Sequence, residues 1–229
     1  MLINNCMWLA FWMFYFERFP VARGWTRQDM ICLWAIVSTG YGVAAVLFGN
    51  FTNLSGLIFR GELDVYMTQP KNVLLHMLSS KTTVSAVGDV LFGLSVFGPL
   101  GEPSAFRWVL FLFSALLVAV YMTAFGVLAH SLAFFFGNAE ALAMQLHSSI
   151  LHFSTYPTAI FEGRIRVVLF TLIPAGFISH LPVGVVREVN PVHIACAVLG
   201  AVVFGAISVW VFDRGLRRYE SGNLMTTRV

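Results

Sequence analysis

Long runs of apolar residues dominate this sequence and constrain its fold more than any other feature. Ile31–Phe48 and His193–Phe212 contain no Asp, Glu, Lys or Arg, and Val84–Leu100 contains only Asp89. A helix needs about 20 mostly apolar residues to cross the hydrocarbon core of a bilayer. The chain is 58% hydrophobic and 11% charged, whereas ordinary soluble domains are about 25% charged. We therefore predict an all-α, polytopic membrane protein of about six transmembrane helices.

Three further runs complete the predicted set of spans. Met1–Phe16 is short for a full crossing, so either its helix continues past Glu17 or the N-terminus is truncated. Phe106–Phe136 exceeds the thickness of the bilayer core, and Gly137–Asn138 is its expected stop signal. Ala139–Ile160 is a weaker fifth span, because it carries many polar residues.

Residues 164–186 are apolar but interrupted by proline and glycine, notably Pro174 and Pro182. We predict two short helices, re-entrant or external, because irregular backbone at membrane depth survives only when protein buries it. Six crossings plus this pair place both chain ends on one side. The 14 Lys and Arg residues divide evenly between the two sides, so charge does not settle the orientation.

Short polar stretches separate the runs. Arg23–Asp29 is an expected turn in which Thr26 or Asp29 caps the next helix. Gly101–Ser104 is an expected tight loop. The second run contains small residues that let neighbouring helices approach closely, Ser38, Thr39, Gly40 and Gly42.

A charged insert, Arg60–Asn72, lies between the second and third runs. Charge of this density must lie in water or against a partner protein, because moving it into hydrocarbon is costly. Pro70 ends any helix formed here. Apolar side chains recur at helical spacing and predict one apolar face: Phe59, Leu63, Tyr66 and Met67. From this spacing alone, an interfacial amphipathic helix explains the insert equally well.

Three polar residues inside the runs are candidates for function. Asp89 is an intramembrane carboxylate, which either acts in function or lies near the interface, hydrated or paired. His147 and His152 lie on the polar fifth span, which either lines an interface or wet pathway or packs inside the bundle with its polar groups satisfied. Their spacing is poor for a shared metal. The three cysteines lie in apolar runs and are expected to be buried rather than paired.

Several function classes lack support in the sequence. It contains no phosphate-binding Gly-x-x-x-x-Gly-Lys-Ser/Thr loop, no His-Glu-x-x-His and no Gly-x-Ser-x-Gly. We therefore expect no catalytic residue, no metal and no cofactor bound by this chain. The net charge of +3 forms no basic stripe, so nucleic acid is not an expected partner.

Four stretches, taken in order, resemble a known family. Gly24–Trp25–Thr26 matches a turn after the family's first span, and Gly61–Glu62–Leu63–Asp64 with Gln69–Pro70 matches its "G-x-L-D … P" signature. Two more stretches are similar to its second signature and its C-terminal ending: Tyr156–Pro157 with Ile173–Phe177 and Leu181–Pro182, and Gly215–Gly222. The family is the exporter-type (type-2) permease subunit of ATP-binding-cassette transporters, in a largely uncharacterised bacterial branch.

The resemblance implies a single permease domain over residues 1–229 in the bacterial inner membrane, with a cytoplasmic tail over 213–229. Residues 56–72 would be a cytoplasmic coupling helix that docks on a separate ABC ATPase, where ATP and Mg act. A second permease subunit, identical or different, would complete the pathway within the membrane lipid. Export of a small or amphiphilic substrate is expected by analogy. A membrane-embedded enzyme and a structural membrane protein are the alternatives.

The resemblance and the residue pattern together select candidate site residues. The expected ATPase-coupling residues are Gly61, Glu62, Leu63, Asp64, Tyr66, Met67 and Pro70. The expected pathway or interface residues are Asp89, His147, His152, Tyr156, Pro157 and Pro174. On this basis, Leu63→Asp or Asp64→Ala should leave membrane insertion intact and abolish ATPase stimulation.

Overall fold

The computed structural model describes residues 2–100 and 104–220, most of them helical. One two-stranded antiparallel hairpin, β1 (Val21–Ala22) and β2 (Trp25–Thr26), joins the first two helices. The α-helices within the described ranges are α1 Leu2–Arg18, α2 Arg27–Leu47, α3 Leu54–Phe59, α4 Leu63–Met67, α5 Val73–Ser79, α6 Val87–Leu100, α7 Ala105–His130, α8 Ala133–Phe136, α9 Glu140–Ser154, α10 Gly163–Thr171, α11 Ala175–Glu188 and α12 Pro191–Leu216.

Helix α2 is at the centre of the bundle. It packs against α6, α7, α11 and α1, while α12 packs against α7 and α11. Its 21 residues run about 30 Å from the hairpin to Leu47. We call its two extremities the hairpin end and the insert end. The insert end also holds the C-terminal part of α12, because Tyr219 packs with Ile58 and Phe134 there.

The long helices support the membrane prediction. By length and apolar composition, three described helical runs can cross a bilayer: α2, α7 continued by α8, and α12. Two bent pairs raise the number to five, α5 with α6 at 73° and α10 with α11 at 86°. The predicted pair of short helices before the last span is therefore present as α10 and α11. A count of six crossings, which needs the shorter α1 and α9, stays a prediction.

The fourth predicted span, Phe106–Phe136, lies within the candidate membrane span Ala105–Phe136, which contains one break. Helix α7 ends at His130, and α8 follows after a turn. The Ser131 hydroxyl donates to the Val127 carbonyl at 2.6 Å, a back-bond that bends helices. Gly137 follows α8 with a φ of +68°, in keeping with its predicted role as a stop signal.

Helices α2 and α6 touch at a glycine. A Cβ atom on Gly93 would overlap the Thr39 hydroxyl and crowd the Ala35 carbonyl. We expect Gly93→Ala to force α6 away from α2 and to cost about 1–3 kcal/mol of stability. The measurement is thermal unfolding in detergent. Gly88→Ala on the same helix is the matched control, because the nearest atom to its new Cβ would lie at an ordinary 3.7 Å; equal unfolding temperatures would contradict the close contact.

At the hairpin end, Asp29 of α2 contacts both β2 and α11 and so holds these three elements together. Its Oδ2 accepts from the Thr26 backbone N–H at 2.8 Å and from the Thr26 hydroxyl at 2.7 Å. Its Oδ1 forms an ion pair with Arg187 of α11. Thr26 is thus the N-cap residue of α2 and Asp29 its partner in the first turn. The predicted polar turn is therefore tied to the α10–α11 pair.

We expect Asp29→Ala to lower stability by about 2–3 kcal/mol, because it removes hydrogen bonds to a buried charged group. Arg23→Ala is the control, because its ion pair with Glu162 is exposed at the same end and such pairs contribute about 0–1 kcal/mol. Both are measured by thermal unfolding. Equal losses from the two variants would refute the fastening role of Asp29.

Two smaller expectations need correction or lie outside the described residues. Cys32 is buried as predicted, but Cys6 and Cys196 are exposed, and all three are free thiols. Cys6 and Cys196 lie on helix surfaces rather than in the core. The predicted loop at 101–104 falls largely outside the described residues, as do positions 221–229 of the predicted tail.

Candidate functional site

Segment 56–72 folds as two short helices joined by a sharp turn. The amide of Glu62 donates to the Leu57 carbonyl at 3.0 Å and that of Gly61 to the Ile58 carbonyl at 3.3 Å. This is the Schellman pattern that ends a helix, here α3. Its C′ position is Gly61, with a φ of +74° that suits glycine. The chain then restarts as α4 in a new direction.

This restart changes which side chains face outward. Leu63 is fully buried, whereas Val65 is 62% and Met67 46% exposed. The predicted placement of Leu63 on an exposed docking face is therefore wrong, because helical spacing does not continue across Gly61. Leu63 holds α4 against the bundle, and the most exposed apolar side chains of α4 are Val65 and Met67, whereas Phe59 and Tyr66 are half-buried.

Other contacts hold α4 in place. The Tyr66 ring packs edge-on against His76 of α5 at 5.1 Å, and its hydroxyl lies 3.0 Å from the Ser80 hydroxyl. The Asn72 side chain accepts from the Leu75 amide at 3.0 Å and so caps α5 two residues after Pro70. Segment 56–72 is therefore a small folded unit at the insert end.

A charged rim borders the exposed apolar pair. Arg60 and Glu62 form an ion pair of 2.6 Å in the turn before α4. Asp64 lies beside Tyr219, which follows the end of α12. Burial of the phenol and the neighbouring Asp64 carboxylate raise the pKa of Tyr219 to about 12. The proximity of Asp64 and Tyr219 links α4 to the segment that follows the last helix.

A cavity of about 320 Å³ lies between α1, α2, α6 and α9. It brings together three of the predicted pathway residues, Asp89, His152 and Tyr156. Aromatic rings form much of its wall. Trp8 stacks on Trp34 at 6.4 Å, and Tyr156 meets Trp8 edge-on at 6.4 Å.

Asp89 is 4% exposed although it lies on an apolar helix. Its Oδ1 accepts from Asn5 Nδ2 at 2.6 Å. Its Oδ2 has no hydrogen-bond partner in the described part of the chain. The sequence left open whether Asp89 acts in function or is merely hydrated or paired. The hydrogen bond from Asn5 satisfies one oxygen of the carboxylate and leaves the other without a partner among the described residues.

The other predicted pathway residues lie apart from the cavity. His147 is buried against Phe51, with ring centroids 5.2 Å apart, and within 2–100 and 104–220 neither of its ring nitrogens has a partner. Pro157 precedes a 3₁₀ turn after α9, and Pro174 lies at the start of α11, where it sets the bend from α10. No group of three or more His, Cys, Asp or Glu residues suited to a metal occurs among the described residues.

Sequence reasoning missed several residues of both sites. Asn5, Trp8 and Trp34 line the cavity. Val65 is the more exposed of the two exposed apolar side chains on α4. An asparagine inside the first apolar run was the available signal for Asn5, because a buried amide needs a partner. The tryptophans carried no such signal, since aromatic residues are abundant throughout the chain.

Comparison with known proteins gives a family. A family model described as ABC-2 family transporter protein matches residues 2–222, nearly the whole chain. No curated protein and no solved structure matches. The match covers both the segment at the insert end and the cavity.

Proposed function

The chain belongs to the ABC-2 family of transporter proteins, and from this premise we propose that it is the permease half of an exporter that receives force through segment 56–72. Family membership makes it a multi-pass inner-membrane permease subunit, a transport component rather than an enzyme. It also implies association with an ABC ATPase. Export, the route of coupling and the nature of the cargo are the proposed parts.

The observation that carries the proposal is the structure of segment 56–72. Membrane-side helices that transmit force to a partner need a rigid base and an exposed contact surface. Leu63 and Tyr66 supply the base, because they pack on the bundle and on α5. Val65 and Met67 supply an exposed apolar surface beside the Arg60–Glu62 pair, a composition that suits a protein interface.

The contact between Asp64 and Tyr219 connects this surface to the last membrane-spanning helix. Asp64 is part of α4 and moves with it, and Tyr219 is its neighbour. Tyr219 packs against Phe134 with ring centroids 6.4 Å apart. Phe134 in turn packs on Phe212 of α12. An ATPase that moves α4 would therefore displace the last helix as well.

A pathway between two permease halves fits the remaining features. The cavity between α1, α2, α6 and α9 combines aromatic and aliphatic walls with polar side chains, among them Asp89 and His152, which suits a small or amphiphilic cargo. A second permease subunit, identical or different, would close the open side of this cavity. The α10–α11 pair at the hairpin end would cover its outer exit.

Affinity purification of the tagged chain from its native cells tests the proposal. We expect an untagged ATPase with a phosphate-binding loop to co-purify, and ATP hydrolysis by the complex to change on reconstitution into lipid. Recovery of the chain without any ATPase, under conditions that keep it folded, would count against the proposal.

A further inference from the structure

The cavity beside Asp89 has a chemistry of its own. We propose that it binds an organic cation, the ammonium-type head of an apolar molecule, with Asp89 as the counter-charge and the rings of Trp8, Trp34 and Tyr156 as walls. This inference rests on the proposed transport function and names the class of cargo.

The first argument is the unbalanced carboxylate. Asp89 is 4% exposed, and one of its oxygens has no hydrogen-bond partner in the described chain. A buried carboxylate with an unsatisfied oxygen inside an apolar helix bundle is costly and is a candidate functional group. A bound cation would compensate this charge.

The second argument is the aromatic wall. Trp8 and Trp34 stack with their planes 16° apart, and Tyr156 approaches Trp8 at 73°. Tyr156 also contacts Trp12, with ring centroids 5.8 Å apart. Aromatic faces attract cations through their ring quadrupole, most strongly where water is excluded. Ring faces around one carboxylate are the arrangement that recognises quaternary ammonium groups.

The third argument separates organic from inorganic cations. Calcium takes six to eight oxygen ligands, and magnesium needs an octahedral oxygen shell. The cavity offers one carboxylate, Asp89, together with the side chains of two asparagines, His152 and several hydroxyl residues, and its remaining wall is aromatic and aliphatic. Its volume of about 320 Å³ falls in the range of small-molecule sites. An ammonium group on an apolar body satisfies both the charge and the walls.

Binding to the full chain in nanodiscs of phosphatidylglycerol tests the inference, because this lipid carries no ammonium group. The probe is radiolabelled benzyltrimethylammonium, and its neutral isostere is neopentylbenzene. We expect saturable binding of the cation, weakened at least 10-fold by Asp89→Asn, and no effect of this variant on the isostere. Equal binding of the cation by the wild type and Asp89→Asn, or no saturable binding at all, would overturn the inference.

Two further variants keep the result interpretable. Asp213→Asn removes an exposed carboxylate at the insert end and should leave probe binding unchanged. Trp8→Leu removes one wall without touching the carboxylate and should weaken cation binding about 3- to 10-fold. If Asp89→Asn fails to fold, as judged by size-exclusion elution, unchanged binding by Trp8→Leu would overturn the inference.

The ammonium group has two sources, a free amphiphile or a lipid headgroup. Repeating the measurement in nanodiscs that contain phosphatidylcholine distinguishes them. Competition by this lipid in the wild type supports a headgroup, whereas undiminished probe binding supports a free cation, and both support the role of Asp89. The assay needs no ATPase, so absence of an ATPase partner would defeat the proposed function and leave this binding result standing.

Discussion

Val65→Asp is expected to abolish stimulation of the ATPase while the chain remains folded and inserted. Val65 is 62% exposed on α4, so a carboxylate there disturbs no packing within the chain. At an apolar docking surface the same carboxylate would be desolvated without a partner, which is strongly unfavourable. We expect at least a 10-fold loss of transport-coupled ATP hydrolysis, measured on the reconstituted complex.

The chain offers a closely matched control at its other end. Val21 in the hairpin is also 62% exposed, so Val21→Asp makes the same chemical change at the same exposure. It should leave ATP hydrolysis unchanged. Equal losses from the two variants would mean that an added surface charge, rather than the docking surface, causes the effect.

Leu63→Asp is expected to prevent folding of the insert end, not merely coupling. Leu63 is fully buried, and a carboxylate in that position has no partner and loses its hydration, which costs several kcal/mol. The chain should accumulate poorly and elute as aggregate on size exclusion. This outcome differs from the expectation, based on the resemblance and the residue pattern, that Leu63→Asp leaves membrane insertion intact.

Leu63→Ala provides a graded version of the same test. Removal of buried methyl groups from a packed leucine costs about 2–5 kcal/mol, so the variant should unfold at a lower temperature while ATPase stimulation by its folded fraction is retained. A folded Leu63→Asp chain that lacks only ATPase stimulation would instead restore Leu63 to the docking surface.

Local patterns predicted much of the fold. The second and last apolar runs correspond to α2 and α12 because their spans are continuous and begin at capping residues, Thr26 and Asn190. Pro174 marks the bend between α10 and α11 because proline disfavours helix in the residue before it.

Long-range and turn-dependent features were beyond the sequence patterns. Asn5 and Asp89 are 84 residues apart in the chain, so no periodicity connects them. The exposed face of α4 depends on the positive φ of Gly61, which resets the helical register. A period of 3.6 residues predicts a face only within one continuous helix.

Photo-crosslinking from position 65 tests most directly whether segment 56–72 contacts a separate ATPase. A benzoylphenylalanine residue would replace Val65, or Val21 as the control, in cells that also produce the ATPase. We expect ultraviolet light to yield an adduct of permease and ATPase from position 65 and none from position 21. An adduct from position 21 alone, or labelling of position 65 from outside the cell, would contradict a cytoplasmic docking role for this segment.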